Sequence, residues 1–328
     1  MNRRRRLILG FSGALLAPRS SLAQQAGKIH QVGLLSVGTS TNPADQVNWQ
    51  PFIDELRKLN YVEGRNLVLR REFGSSDFAR LPELVANLVK NKVDVIVATG
   101  TREIRAAKQT TNAIPIVMTL AADPVKEGFV ASLARPGGNV TGLTSLVPGL
   151  SQKYLELILE VVPSGKRFAV VSVPPNPITE IRREFESAAK SLGVELFFVQ
   201  LPGSGDFDRA LGQAKKDGAT GIIHPLDGAT WTNRSMLVQA ALKHRLPGIY
   251  WSSAYVDDGG LMTYSINRAE QSRLAATVVD KILRGAKPAD LPVQQPTRVE
   301  LVINMKTARA LGIKVPQSIL LRADRLVE

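Results

Sequence analysis

From residue 28 onward the chain alternates short runs of aliphatic and β-branched residues with longer stretches whose apolar positions recur every three to four residues. The short runs, bounded by Gly, Pro or Asn, read as strands and the longer ones as helices. Strands are expected at 29–36, 66–73, 93–98, 114–119 and 139–142, with helices over 43–59, 78–90 and 102–110 between them. The pattern then restarts, with a helix at 151–162 and a strand at 167–173 that resembles the first. Helices at 178–192, 206–216 and 233–244 alternate with strands at 194–201, 221–225 and 247–250. A strand at 260–264, a long amphipathic helix at 268–284, a strand at 298–304 and a helix at 305–311 complete the chain. Such alternation specifies parallel sheets with helices on both faces, and the clearest buried run is Val-Asp-Val-Ile-Val-Ala at 93–98.

The expected fold class is therefore α/β, with two doubly wound, Rossmann-like lobes. Length agrees, because 328 residues exceed one ordinary core and suit two lobes of about 150 each. With 44% hydrophobic and 22% charged residues, the composition is neither disordered nor collagen-like.

The first residues follow another pattern. Arg3 to Arg6 form a positive block, Leu7 to Ala17 a short apolar run, and Ser21-Leu22-Ala23 supplies the small residues a signal peptidase reads. A cleaved export signal over 1–23 is the expectation, with cleavage near Ala23, through either the general or the twin-arginine route. Removing that segment's five arginines lowers the formal net charge from +13 to +8. The remaining Lys and Arg are interspersed with acids and no nucleic-acid-binding motif is present, so nucleic acid is not an expected partner.

The absence of cysteine excludes disulfides, thiolate metal sites, a cysteine nucleophile and a lipid-modified N-terminal cysteine. His30, His224 and His244 stand singly, so neither metal nor cofactor is expected. There is no Gly-x-Ser-x-Gly elbow and no Gly-x-x-x-x-Gly-Lys-Ser phosphate loop. Gly137-Gly138 and Gly259-Gly260 precede predicted strands, whereas a phosphate loop follows a strand, so turns are expected there. His224, ending a strand before Pro225, reads as a packed or hydrogen-bonded side chain rather than a general base.

Several segments, in order, carry a family resemblance across nearly the whole mature chain. They are Leu59-Asn60-Tyr61-Val62-Glu63-Gly64-Arg65-Asn66, the run from Val93 to Gly100, and Ala122-Asp123-Pro124-Val125. Next come Leu133-Ala134-Arg135-Pro136-Gly137-Gly138-Asn139-Val140-Thr141-Gly142 and Asp258-Gly259-Gly260-Leu261. The last is Ile282-Leu283-Arg284-Gly285-Ala286-Lys287-Pro288-Ala289-Asp290-Leu291-Pro292. The chain resembles the substrate-binding proteins of ABC transporters, in the group that includes the tryptophan/tyrosine-binding lipoproteins. The resemblance implies a type I periplasmic-binding-protein fold with a multi-strand hinge and a ligand cleft between the lobes. Residues 28–145 plus 267–290 are assigned to the first lobe and 146–266 plus 291–328 to the second. It further implies a monomeric, non-catalytic periplasmic receptor that binds a small organic ligand, amino-acid-like or an aromatic or carboxylate compound, and delivers it to an inner-membrane permease. The alternatives are a periplasmic sensory protein feeding a membrane receptor, or an exported α/β hydrolase. Many relatives carry Asn-Pro-x-Asn-Pro where this chain retains only Asn176 and Pro177 after Val173 and Pro174, so the usual polar contact of this loop and the ligand identity do not carry over, and a ligand less amino-acid-like, or larger and more apolar, is an open alternative.

Ligands of open parallel sheets gather at the carboxyl ends of strands, where helix N-termini present free N–H groups. In the first lobe these ends carry Ser36 and Thr39, then Gly100 and Thr101, then Thr119 and Asp123, and finally Thr144 and Ser145. Small hydroxyl residues beside glycine suit a compact polar head group, although Ser and Thr also cap helices. The second-lobe counterparts are Asn176, Asp227, Trp231 and Trp251, with Tyr264 closing a later strand. Asp227 and Asp123 suit either a ligand amine or a helix cap. All three tryptophans follow predicted strands, so an aromatic cleft wall is expected, with Trp49 its least favoured member.

Overall fold

The computed structural model of the protein describes residues 28–38, 43–75, 77–173, 179–202, 206–296 and 298–328. The first sheet comprises β1 (His30–Ser36), β2 (Leu67–Phe73), β3 (Val95–Ala98), β4 (Ile116–Ala121) and β5 (Val140–Thr144), in the order β2-β1-β3-β4-β5. Every pairing in it is parallel, and α1 (Pro43–Lys58), α2 (Leu81–Lys90) and α3 (Thr101–Thr110) connect its strands.

The second half contains α4 (Leu150–Val161), β6 (Arg167–Ser172), α5 (Thr179–Leu192), β7 (Glu195–Gln200), α6 (Phe207–Lys216) and β8 (Gly221–His224). After these come α7 (Arg234–Lys243), β9 (Gly248–Tyr250), α8 (Ser253–Asp257), β10 (Met262–Ile266) and α9 (Arg268–Leu283). The chain ends with β11 (Val299–Asn304), α10 (Met305–Leu311), α11 (Gln317–Leu320) and β12 (Arg325–Val327). The second sheet runs β12-β11-β10-β9-β8-β6-β7, parallel except where β11 pairs antiparallel with β10.

Successive strand side chains point to opposite faces, so each sheet buries two separate apolar layers. Val95 and Val97 pack with Phe52 and Leu56 of α1 and Ala275 and Val279 of α9. The intervening Ile96 and Ala98 pack with Leu84 and Leu88 of α2 and Ile104 of α3. In the second sheet Val170 joins the layer beneath α4 and α5, while Ala169 and Val171 join the layer beneath α6, α7 and α8. That is the doubly wound arrangement which the strand–helix alternation specifies.

Helix α9 follows β10 of the second sheet yet packs against α1, β3 and β4 of the first. The chain thus crosses between the sheets after β5, after β10 and again before β11. The sequence reading puts 291–328 in the second lobe, but 291–294 stays with the first sheet. Leu143 bridges to Gln294, the Gln294 N–H donates to the Gly142 carbonyl, and Thr141 Oγ1 donates to the Leu291 carbonyl. Elements as short as α8, α11 and β12 give no periodic signal and are absent from the sequence reading. Gly142 has a real backbone constraint: its φ is 125° and a Cβ there would lie 2.3 Å from the Met118 carbonyl oxygen. Gly137 and Gly259, with φ of 76° and 109°, occupy the expected turns.

Candidate functional site

A cavity of about 520 Å³ opens between the carboxyl ends of the two sheets. On the first-sheet side, β1 ends in Ser36, whose hydroxyl accepts the Gly38 N–H at 3.1 Å. After β3 come Thr99 and Gly100, and Thr101 opens α3. Gly100 has φ 105° and supplies no side-chain cap. A Cβ there would meet Glu103 Oε2 at 2.8 Å, so the glycine leaves room for that carboxylate to fold back over the helix start.

Glu103 is buried in the cavity wall, and its Oε1 accepts the Val37 N–H at 3.3 Å. Burial pushes its carboxyl up to about 7, against the opposing pull of the Val37 and Glu103 N–H groups and of the Arg102 charge. Near the carboxyl end of β4, Thr119 Oγ1 donates to Thr99 Oγ1 at 3.3 Å, and just past the strand Asp123 Oδ1 accepts the Lys126 N–H at 3.1 Å. Glu127 pairs with Arg105 on the same wall.

The second-sheet wall is aromatic. Trp231 and Trp251 lie 5.5 Å apart, and Trp251 packs 5.8 Å from Tyr255. The Trp251 Nε1–H donates to Tyr255 Oη at 3.1 Å, which lies 2.6 Å from Thr230 Oγ1. Thr230 Oγ1 is in turn 2.8 Å from His224 Nε2, while His224 Nδ1 lies 3.0 Å from the Val171 carbonyl oxygen. A carbonyl only accepts, so Nδ1 of a neutral His224 carries its proton and Nε2 is an acceptor. Thr230 Oγ1 also donates to the Asp227 carbonyl at 2.9 Å, so its single proton is shared between that oxygen and Nε2, and Trp251, Tyr255, Thr230 and His224 form one contiguous polar cluster. Burial lowers the His224 pKa, against the nearby Asp227 charge and the Val171 carbonyl, which is consistent with that neutral form. His224 is thus hydrogen-bonded within the second lobe.

Two further elements complete the cavity. Helix α1 contributes Trp49 and Phe52, in edge-to-face contact at 5.9 Å. Helix α9 contributes Arg268 and Gln271 from its first turn and Ser272 from the start of its second. The Arg268 guanidinium lies 4.5 Å from the Trp231 ring centre and 5.3 Å from that of Trp251, so a helix packed on the first sheet touches the aromatic wall of the second.

Of the positions expected from sequence, Ser36, Gly100, Thr101, Thr119, Asp123, Asp227, Trp231 and Trp251 converge on this cavity. Thr39 and Asn176 lie outside the described residues. Thr144 and Ser145 do not line it: both hydroxyls donate to the Ala121 carbonyl, tying β5 to the end of β4. Tyr264 packs in the layer beneath α4 and α5, because its place in β10 turns it to that face. Asp227 acts as a cap, its two oxygens accepting the Val173 and Ala229 N–H groups at 2.7 and 3.0 Å. Trp49, ranked last of the three tryptophans, lines the cavity from within α1 rather than from a strand end. Glu103, Arg268 and Gln271 were not anticipated; the only local signal was polar residues in the first turn of a helix.

Two doubly wound lobes, joined by repeated crossings and facing each other across a cavity at their strand ends, define a type I periplasmic-binding-protein fold, the architecture of hinged solute receptors. The chain belongs to the ABC transporter substrate-binding proteins, whose family model matches residues 40–327. That family comprises non-catalytic, extracytoplasmic solute receptors of ABC importers. The chain is 26% identical over 265 residues to a tyrosine-binding protein of Clostridioides difficile, covering 80% of this chain and 76% of the relative. A solved structure of a conserved domain protein from Vibrio cholerae is 28% identical with a TM-score of 0.84, covering 91% of this chain and 100% of that one. The fold is also that of an ABC domain from Streptococcus pneumoniae solved in complex with L-Trp, 24% identical with a TM-score of 0.83, covering 91% and 99% of the two chains.

Proposed function

We propose that this protein is the periplasmic receptor of an ABC importer for an amino-acid-like solute bearing a flat, apolar side group. The observation that carries this reading is the division of the cavity: the indoles of Trp231 and Trp251, buried and stacked with the Arg268 guanidinium, on one side, helix starts and charged side chains on the other. A volume of about 520 Å³ suits a small organic molecule, since such pockets generally span roughly 300–1,000 Å³. The tyrosine-binding relative is in keeping with an aromatic amino acid, and the arginine-rich start followed by an apolar run supports export. Closure of the lobes on the solute then creates the surface that an inner-membrane permease reads, with no bond made or broken.

The test is a thermal-shift screen of the mature chain against L-tyrosine, L-tryptophan, aromatic carboxylates, nucleosides and simple carboxylates. At least one aromatic amino acid is expected to bind with a Kd of about 1 μM or below, near −8 kcal/mol, and to raise the melting temperature by mass action. The bound compound is expected to be recovered unchanged. Trp231→Phe and Trp251→Phe are each expected to weaken its binding and alter the fluorescence change; if both leave affinity and emission untouched, the aromatic wall takes no part in recognition.

A further inference from the structure

The first turn of α9 carries an acceptor that neither its packing nor its own helix satisfies, beside an arginine stacked on the aromatic wall. Gln271 is 5% exposed and lines the cavity, yet its Oε1 has no hydrogen-bond partner among the described residues. Buried side-chain acceptors are ordinarily paired, because leaving one unmade forfeits its bond to water. The N-cap of the helix is already made, with Asn267 Oδ1 accepting the Glu270 N–H at 2.9 Å. One residue on, Arg268 places a cation at the positive end of a 16-residue helix, where the backbone dipole disfavours it. Its guanidinium is held there against the Trp231 and Trp251 rings.

Several other acceptors of the cavity are already engaged. Asp227 accepts two backbone N–H groups, Asp123 accepts that of Lys126, Glu127 pairs with Arg105, and Glu103 accepts that of Val37. A ligand therefore meets, at one helix turn, an acceptor in need of a proton donor and a fixed cation beside it. A donor and an anion on neighbouring atoms are what an α-amino acid carries.

We propose that the first turn of α9 reads the polar head of an α-amino acid, Gln271 Oε1 accepting from its ammonium group while the Arg268 guanidinium faces its carboxylate. This rests on the amino-acid reading of the cavity. An ammonium suits the position better than a hydroxyl, because it brings a full charge and three N–H donors to the unpaired Gln271 Oε1.

The experiment titrates the mature chain calorimetrically with L-tyrosine, with 4-hydroxyphenyllactate, which has a hydroxyl in place of the ammonium, and with 3-(4-hydroxyphenyl)propionate, which has neither. The wild type is expected to prefer L-tyrosine to both by about tenfold or more, the scale of one hydrogen bond to a charged group. Gln271→Met is expected to erase that preference while leaving the melting temperature of the ligand-free protein unchanged or higher, since it removes an unsatisfied acceptor. Gln271→Glu, which keeps an acceptor at the same place, is expected to retain it. A preference that survives in Gln271→Met, or a lower melting temperature for that variant without ligand, overturns the assignment and leaves the amino-acid reading standing. Equal binding of the lactate and L-tyrosine by the wild type overturns the ammonium contact. A wild type that binds none of the three, nor L-tryptophan, overturns the amino-acid reading and this assignment with it.

Discussion

On the first-lobe side the cavity is bounded by loops at the ends of β1, β3 and β4, whose Ser, Thr and Gly backbones leave polar groups near the surface and one carboxylate, Glu103, sealed beneath them. On the second-lobe side the wall is a packed cluster, in which Trp251 is held through Tyr255 and Thr230 to His224. A wall of loops obtains its specificity from groups that can each be removed separately. A wall of interlocked rings behaves as a unit, so losing one member disturbs orientation and stability together. Helix α9 joins the two, with its body on the first sheet and Arg268 on the indoles of the second.

The largest effect that separates the walls is the pH dependence of Glu103. Its carboxyl is raised to about 7 in the folded chain from an ordinary value of 4.5, so between these pH values the folded state binds its proton more tightly than the unfolded state. The resulting stability is complete below about pH 4.5 and is lost as pH rises through about 7, on the order of 3 kcal/mol in all. Glu103→Gln is expected to flatten that slope and to be more stable than the wild type near pH 8, measured by denaturant unfolding across pH. Parallel profiles for the two proteins would place the buried charge elsewhere.

A smaller cost is expected in the opposite wall. Tyr255→Phe keeps the ring but removes the hydroxyl between Trp251 Nε1 and Thr230, leaving two buried polar groups without that partner. Stability is expected to fall by about 1–3 kcal/mol with little dependence on pH, and tryptophan emission is expected to change with it. A fall in stability with unaltered emission breaks the link between the polar cluster and the indole. Smallest is the contact between lobes: Arg268→Met removes a cation–π interaction of about 1 kcal/mol, and the ligand-free protein is expected to scatter X-rays as a more open particle. An unchanged radius of gyration would mean that the arginine does not help hold the lobes together.

The sequence made the central strands of both sheets legible because their apolar runs are continuous and buried on both faces, as Val95 to Ala98 illustrates, whereas the short, exposed edge strand β12 gave no such signal. It also located the strand ends where Ser36, Gly100, Thr119 and Trp251 stand. It did not separate Thr144 and Ser145 from the hydroxyls that face the cavity, because bonding to the Ala121 carbonyl depends on how β5 leaves β4. Trp49 was undervalued for a related reason: its place on α1 says which face is apolar, and not that this face looks over the rim of the sheet.

What the sequence alone determined was a local property, the period of apolar positions and the punctuation between them, and from it two doubly wound lobes with their strand ends as candidate sites. The tertiary structure decided which distant residues share the cavity. Gln271 and Arg268 reach it because the chain leaves β10 of one sheet to pack α9 on the other, and Glu103 reaches it because Gly100 lets the carboxylate fold back. Hydrophobic period records which side of an element avoids water; which partner covers that side is fixed only when all the layers pack at once.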